Sequence, residues 1–197
     1  MRRAFCIVVL CGLRIGPAAC ADGPKIGERI EPPSFKDIRS LTRTLDDFGP
    51  KQAFVVVAMR VSCPLAKRYF PILADLERRY RPRDVQFLAL DVAPDESVAE
   101  MAAMAIDAGV EFPVGRDEGP FAKAVGWTRT PEVVVLDSQR ALRYRGRIDD
   151  QLRLGGERPE PSRRDLVEAL DAMLDYERLA PLAVGRPAGP ARHLRRA

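Results

Sequence analysis

The residue of this sequence with the clearest chemical potential is Cys63, which follows an apolar run and precedes a predicted helix. Residues 54–59 are continuously apolar and rich in valine, which is typical of a buried strand. Pro64 suits the first position of a helix, where its missing N–H costs nothing. A thiol there faces unpaired N–H groups and the positive end of the helix dipole, and both favour the nucleophilic thiolate. Arg60 and Lys67 would add positive charge, whereas the alternative is a buried structural cysteine.

Two segments resemble the active-site segments of the thioredoxin superfamily. Cys63-Pro-Leu-Ala66-Lys67, with Pro71, resembles the thioredoxin helix C-x-x-C-K-x-x-x-P, and Ala66 takes the place of the second cysteine. Residues 126–137 resemble the thioredoxin segment that places a cis-proline before a central strand, and Pro131 is the matching proline. The resemblance covers about residues 24–174 and is greatest to the redoxin branch, which includes the alkyl hydroperoxide reductase and thiol-specific antioxidant proteins.

The resemblance implies an α/β fold, namely a thioredoxin-like three-layer sandwich with a central mixed sheet flanked by helices. It implies that Pro131 is cis and packs beside the active-site sulfur. Cys63 and Arg60 are then the predicted catalytic residues. The predicted substrate side is formed by Pro131, Thr130, Pro64 and Lys67.

The sequence departs from the patterns of both dithiol oxidoreductases and peroxiredoxins. Ala66 removes the resolving cysteine that a dithiol oxidoreductase needs. Val57 stands where thioredoxins often have a buried acid. The peroxiredoxin pattern P-x-x-x-T/S-x-x-C has Val56 and Arg60 at its proline and hydroxyl positions, so a peroxide site would need the hydroxyl of Ser62 instead.

Two functions follow from these features. In the first, the Cys63 thiolate attacks a peroxide or a disulfide, and an external thiol or a thioredoxin-like reductant resolves the product. In the second, the chain is a non-catalytic thioredoxin-like binding or accessory module of the cell envelope. The sequence has no G-x-G-x-x-G or P-loop pattern, and its only histidine is His193, so we expect no cofactor and no metal.

The chain termini differ from the central domain. Residues 1–21 combine a basic start, an apolar stretch and the possible cleavage site Ala19-Cys20-Ala21, which predicts a signal peptide and export to a periplasmic or other extracytoplasmic space. The alternative is a lipoprotein anchored to the membrane through Cys20. Cleavage would leave Cys63 as the only cysteine. Residues 22–180 are the predicted redoxin domain, and the arginine-rich residues 181–197 are a predicted disordered tail.

We expect no nucleic-acid partner, and the net charge says little about the mature domain. The whole chain carries +4, and the leader holds three arginines and no acid, which leaves +1 for the mature protein. The acidic pairs at 46–47 and 149–150 are interpreted as turn and surface residues.

Hydrophobic periodicity predicts the remaining elements. Asp95 is the predicted cap of the second helix, and Ser162 is the predicted cap of the last one. The predicted strands are 34–38, 41–45, 54–59, 85–92, 112–114, 132–136 and 141–148, and the predicted helices are 64–80, 96–108, 121–125 and 163–176.

Overall fold

Seven strands form one mixed sheet in the computed structural model, which describes residues 23–153 and 155–184. These strands are β1 (Phe35–Asp37), β2 (Thr42–Arg43), β3 (Ala53–Met59), β4 (Val85–Asp91), β5 (Val114–Arg116), β6 (Glu132–Asp137) and β7 (Leu142–Gly146). They are arranged in the order β2-β1-β5-β4-β3-β6-β7. A separate hairpin consists of β8 (Leu152–Arg153) and β9 (Gly156–Glu157).

Helices cover both faces of the sheet and complete three layers. They are α1 (Pro64–Tyr80), α2 (Val98–Asp107), α3 (Pro120–Val125) and α4 (Asp165–Val184), with short 3₁₀ turns at Leu45–Phe48 and Arg81–Arg83. Buried residues of α1, α2 and α4 pack on one face, and buried residues of α3 pack on the other. This arrangement confirms the predicted α/β three-layer sandwich with a mixed central sheet.

The central strands are apolar along their whole length because helices cover both of their faces. All seven residues of β3 are buried. Alternate side chains of β3 enter opposite cores, so that Val57 belongs to the α1 side and Val56 to the α3 side. β3 runs parallel to β4 and antiparallel to β6, where Ala58 lies opposite Glu132. This pairing brings the end of β3 next to the start of β6.

Helix α1 begins as the sequence predicts. Cys63 is its N-cap residue and Pro64 occupies the first helical turn, while the last residue is Tyr80. Its buried side, which includes Tyr69, Phe70 and Leu73, packs into the core beneath the sheet.

Other predicted boundaries are wrong. Ser97, and not Asp95, caps α2, because Ser97 and Glu100 form a reciprocal capping box. The Ser97 hydroxyl accepts a hydrogen bond from the Glu100 amide at 3.2 Å, and the Glu100 carboxylate accepts one from the Ser97 amide at 2.7 Å. The short strand is β5, two residues later than predicted, because Phe112 packs against Phe70 and Phe87 instead.

The last helix is also displaced from its prediction. Ser162 does not begin it, since the Ser162 hydroxyl accepts a hydrogen bond from Arg158 and the helix starts at Asp165. The helix continues to Val184, past the predicted end at residue 176 and past the predicted domain boundary at residue 180.

Several predictions concern residues that the structure does not describe. The signal peptide 1–21, its Cys20 and the tail from residue 185 onward lie outside the described residues. Among the helices that are described, none combines the length and the apolar character needed to cross a membrane.

Candidate active site

Cys63 lies in the tight connection between β3 and α1. Its amide donates a hydrogen bond to the carbonyl of Arg60 at 3.0 Å, and its own carbonyl accepts one from the amide of Lys67 at 3.2 Å. The side chain is partly exposed and packs at the edge of the α1-side core. In the described part of the chain Cys63 is the only cysteine, and it is free. The thiol therefore sits at the start of a 17-residue helix and remains accessible.

The loop before β6 brings a second segment against this sulfur. Cys63 Sγ lies 3.8 Å from the carbonyl oxygen of Thr130, and the Thr130-Pro131 peptide is cis, which confirms that prediction. Glu132 is buried at the start of β6, and its carboxylate accepts a hydrogen bond from the amide of Thr128 at 2.8 Å. Arg129 lies 3.7 Å from the same carboxylate. Glu132 thus fixes the loop that carries Thr130.

A cleft of about 670 Å³ opens beside Thr130 and Pro131. Leu65 and Tyr69 of α1 form one wall, and residues 144–152 form much of the other. The Tyr69 hydroxyl donates to Asp149 at 2.5 Å and accepts a hydrogen bond from the amide of Leu152 at 3.2 Å. Burial, followed by this contact with Asp149, raises the pKa of Tyr69.

Asp149 was expected to be a surface acid, and this prediction is wrong. The residue is 6% exposed, and it accepts hydrogen bonds from the Tyr69 hydroxyl and from the Gln151 amide at 2.9 Å. It therefore ties the loop after β7 to helix α1 and shapes the far wall of the cleft.

Of the four predicted substrate-side residues, the structure places Lys67 apart from the others. Leu65 faces the cleft, and Lys67, two residues later, is rotated by about 200° around the helix axis. Lys67 lines a different cavity, of about 380 Å³, between α1 and α2. Pro64 is exposed in the first turn, directly after Cys63. Pro131 and Thr130 lie together at the cleft.

The guanidinium of Arg60 is directed towards carboxylates. It lies 3.7 Å from Asp95 and 3.9 Å from Glu96, and it is 44% exposed. Among the described residues it makes no hydrogen bond to the Cys63 sulfur. A direct role of Arg60 at the sulfur stays a prediction.

Sequence reasoning missed Glu96, which contacts the loop immediately before Cys63. Its carboxylate accepts hydrogen bonds from the amide of Val61 and, at 2.8 Å, from the amide of Ser62. Asp91, which is completely buried at the end of β4, is the neighbouring carboxyl group. An acid that ends a mostly apolar core strand is a visible signal in the sequence, because buried carboxyl groups are rare unless they have partners. Glu96 gives no comparable signal.

The two carboxyl groups have opposite pKa shifts. Burial, followed by the hydrogen bond with Glu96, raises the pKa of Asp91 to about 7. Burial would also raise the pKa of Glu96, but hydrogen bonds from Asp91, Ser62 and Val61 outweigh it and lower that pKa to about 2. Between the two pKa values, below about pH 7, the pair therefore holds one proton, which resides on Asp91.

Comparison with known proteins places this arrangement in a family. Residues 30–159 match the family model described as Redoxin. The chain belongs to the Redoxin family. No curated protein matched the chain in a full-sequence search. The resemblance stated from the Cys63 and Pro131 segments is confirmed at the level of the family, while the roles of individual residues are not tested by it.

Solved structures agree with this fold. A hypothetical protein from Sinorhizobium meliloti aligns with a TM-score of 0.70 and 26% identity, over 78% of this chain and 86% of that one. An uncharacterized conserved protein from Geobacillus kaustophilus aligns with a TM-score of 0.67 and 26% identity, over 85% and 86%. The thioredoxin domain of a thiol-disulfide oxidoreductase from Bacteroides vulgatus aligns with a TM-score of 0.53 and 11% identity, over 61% and 86%, which indicates the shared fold alone.

Within residues 23–153 and 155–184, no group of three or more histidine, cysteine, aspartate or glutamate side chains is arranged to hold a metal ion.

Proposed function

We propose that this Redoxin-family protein is an exported thiol redox protein that uses Cys63 as its single nucleophile. The observation that carries the proposal is the position of the Cys63 sulfur at the start of α1, 3.8 Å from the carbonyl of Thr130, a residue that lines the cleft. A helix start favours the thiolate through its unpaired N–H groups. The carbonyl of Thr130 offers an acceptor for an N–H of a substrate chain that approaches the sulfur.

The proposed cycle needs one external thiol. The Cys63 thiolate attacks one sulfur of a substrate disulfide, a mixed disulfide forms, and the other sulfur leaves as a thiolate that takes a proton from solvent. A thiolate of an external thiol or of a thioredoxin-like reductant then attacks the mixed disulfide. Attack on the substrate sulfur regenerates the Cys63 thiolate, and the substrate leaves bonded to the external thiol.

A peroxide is the other candidate oxidant for the same sulfur. Attack of the Cys63 thiolate on a peroxide oxygen would break the O–O bond, give a sulfenic acid and release an alcohol or water. One external thiol would condense with the sulfenic acid and release water, and a second would reduce the resulting disulfide. The Arg60 guanidinium, which could have assisted O–O cleavage, instead lies close to the carboxylates of Asp95 and Glu96. This observation favours the disulfide as substrate.

The export part of the proposal is supported by the sequence of residues 1–21, whose composition is that of a signal peptide. In that setting the mature domain, residues 22–180 followed by its basic tail, would have Cys63 as its only thiol. A periplasmic or extracytoplasmic reductant would then be required to keep it reduced. Retention of a lipid-modified Cys20 would anchor the same domain to a membrane.

A second candidate is the non-catalytic binding module. The observation that favours it is the apolar character of the two positions that dithiol chemistry would use. Ala66 is 1% exposed and Val57 is completely buried, and both pack in the α1-side core. Such a module would keep the cleft as a binding surface without turnover.

The deciding experiment compares the mature chain with Cys63→Ser. Each is supplied with a dye–glutathione mixed disulfide or with hydrogen peroxide, in the presence of glutathione or of a thioredoxin system. We expect disulfide consumption that depends on the external thiol and that is lost in Cys63→Ser. Wild-type protein blocked with iodoacetamide is the matched control, because it removes the same thiol without a substitution. If the wild type, Cys63→Ser and the blocked wild type were all inert towards both oxidants, the enzyme hypothesis would be abandoned for the binding module.

A further inference from the structure

A buried carboxyl group lies beneath the connection that presents Cys63. Asp91 ends β4 directly opposite Met59 of β3, and the two strands stay joined beyond this point because the amide of Val92 donates to the carbonyl of Met59 at 3.1 Å. One oxygen of Asp91 accepts a hydrogen bond from the amide of Ala93 at 2.7 Å. Its other oxygen is buried and receives no hydrogen bond from any donor group in the described residues. That oxygen is suited to carry a proton.

Glu96 connects this buried acid to the loop. It is 8% exposed, so its carboxylate is largely removed from water. Its carboxylate accepts hydrogen bonds from the amides of Val61 and Ser62, the two residues that immediately precede Cys63. A carboxylate that accepts two backbone amides is a strong, directional contact, and loss of its charge would weaken both hydrogen bonds.

We propose that Glu96 positions the loop that presents Cys63, and that a proton held between Asp91 and Glu96 makes this contact depend on pH. With the proton in place, Asp91 donates to the Glu96 carboxylate, which stays ionised and holds the two amides. When the proton is lost to solvent, two negative charges lie side by side in a buried site, and the contact of Glu96 with the loop weakens. The inference rests on the proposed function only where the reactivity of Cys63 is concerned.

The surrounding charges are consistent with a transition near neutral pH. The pKa of Asp91 is raised to about 7, by burial first and then by Glu96, and Arg116 of β5 opposes this shift. The Nε and one terminal nitrogen of Arg116 are buried and lack a partner among the described residues. Arg116 can therefore pair with Asp91 once that carboxyl group is ionised. On the other side, Arg60 faces both Glu96 and Asp95.

Three further charged groups surround the pair. Glu100 of α2 repels Glu96 weakly and is itself bound to Ser97. Lys67 of α1 interacts with Glu100. Asp117 follows β5, and its carboxylate is occupied by the amides at the start of α3, including those of Phe121 and Ala122. None of these groups supplies a hydrogen bond to the unpartnered Asp91 oxygen.

The test follows the amide protons of Val61 and Ser62 by NMR in the full mature protein between about pH 5 and pH 9. We expect both resonances to titrate with a midpoint near 7 in the wild type. In Asp91→Asn the titration should disappear, because the amide NH2 donates to Glu96 at every pH. In Glu96→Gln the two amides should exchange with solvent about tenfold faster, because hydrogen bonds to a charged acceptor are stronger than those to a neutral one.

Glu100→Gln is the matched control. It weakens the capping box at the start of α2, but the hydrogen bonds of Glu100 go to Ser97 and not to the loop, so the Val61 and Ser62 amides should behave as in the wild type. Should Glu96→Gln fail to fold, the wild-type titration and its loss in Asp91→Asn still decide the question.

The same pH series is repeated for the rate of Cys63 alkylation by iodoacetamide, where we expect a step at the same midpoint that Asp91→Asn removes. Amides that do not titrate in the wild type, or that exchange unchanged in a folded Glu96→Gln, would overturn the inference. Inertness of Cys63 towards disulfides would overturn the proposed function instead and would leave the amide result standing.

Discussion

The sulfur of Cys63 lies 3.8 Å from the carbonyl oxygen of Thr130, although 67 positions of sequence separate the two residues. The sheet creates this proximity, because β3 and β6 are adjacent and antiparallel, with Ala58 opposite Glu132. The end of β3 feeds the Cys63 connection, while the start of β6 receives the Thr130 loop. The candidate site is therefore a product of strand pairing at the centre of the sheet, and neither segment forms it alone.

Replacing Ala66 with cysteine should give the site the second thiol that it lacks. Ala66 is in the first turn of α1, three residues after Cys63, which is the spacing of the C-x-x-C pair in the resembled family. We expect Ala66→Cys to form an internal disulfide and to gain insulin-reducing activity with a chemical reductant. Thiol counts before and after reduction would measure the first effect, and insulin turbidity the second.

Ala74→Cys is the control for this variant. Ala74 is 3% exposed on the same helix, so the substitution is similarly buried, but it lies about 16 Å along the axis from Cys63, too far for a disulfide. Ala66→Cys that keeps two free thiols under oxidation would contradict the equivalence of this helix with the thioredoxin site.

The position of the cleft predicts which side of α1 the substrate uses. Leu65→Trp should fill part of the cleft beside Thr130 and slow exchange with a peptide disulfide by about tenfold, while a small alkylating reagent still reaches Cys63. Ala103→Trp introduces the same bulk into the separate cavity between α1 and α2 and should leave both rates unchanged. If instead Ala103→Trp slowed the exchange and Leu65→Trp did not, the substrate would bind on the Lys67 side of α1.

These contrasts show what local sequence could and could not predict. The start of α1 was predictable, because Cys63 and Pro64 form a local helix-start signal after an apolar run. The side of α1 that faces the cleft was not, because the match of Lys67 to a family motif gives its offset along the helix but not which face lies against Thr130. The cap of α2 was also ambiguous, since Asp95 and Ser97 are both capping residues, and only the reciprocal bond with Glu100 selects Ser97.

The Asp91–Glu96 pair could not be predicted from local sequence, because its burial and contacts depend on distant parts of the chain. Asp91 is visible as an acid at the end of a core strand, but its burial depends on the neighbouring strands β3 and β5. Glu96 reaches amides 34 and 35 positions away, and no periodicity in the sequence encodes such a contact.

The hydrogen bond between Tyr69 and Asp149 should contribute measurably to stability. Tyr69→Phe removes the hydroxyl and leaves the buried Asp149 carboxylate without one of its two donors, so we expect a loss of about 1 to 3 kcal/mol in the free energy of unfolding. Chemical denaturation would measure it. Tyr176→Phe, which removes a hydroxyl from a side chain of a residue that is 71% exposed, should change the free energy by less than about 0.5 kcal/mol. Equal effects of the two variants would mean that the Asp149 contact contributes nothing.

The raised pKa of Asp91 predicts how the stability of the wild type changes with pH. Asp91 titrates at about 7 in the folded protein against 3.8 as the unperturbed value, so between these pH values the folded state binds more protons than the unfolded state. Stability should therefore fall as the pH rises through this window and should level off above about 7. One pKa unit corresponds to about 1.4 kcal/mol, so the fall between pH 5 and 7 should be about 1 to 3 kcal/mol.

Asp91→Asn should abolish this fall, because an amide has no proton to lose in that range. His193→Gln is introduced into both proteins, since His193 is the only histidine of the sequence and would otherwise titrate in the same window. Denaturation midpoints and slopes at pH 5, 6, 7 and 8 would give the free energies. A wild-type background whose stability rises or stays constant from pH 5 to 7, with the Asp91→Asn protein following the same curve, would show that the proton on Asp91 does not stabilise the fold.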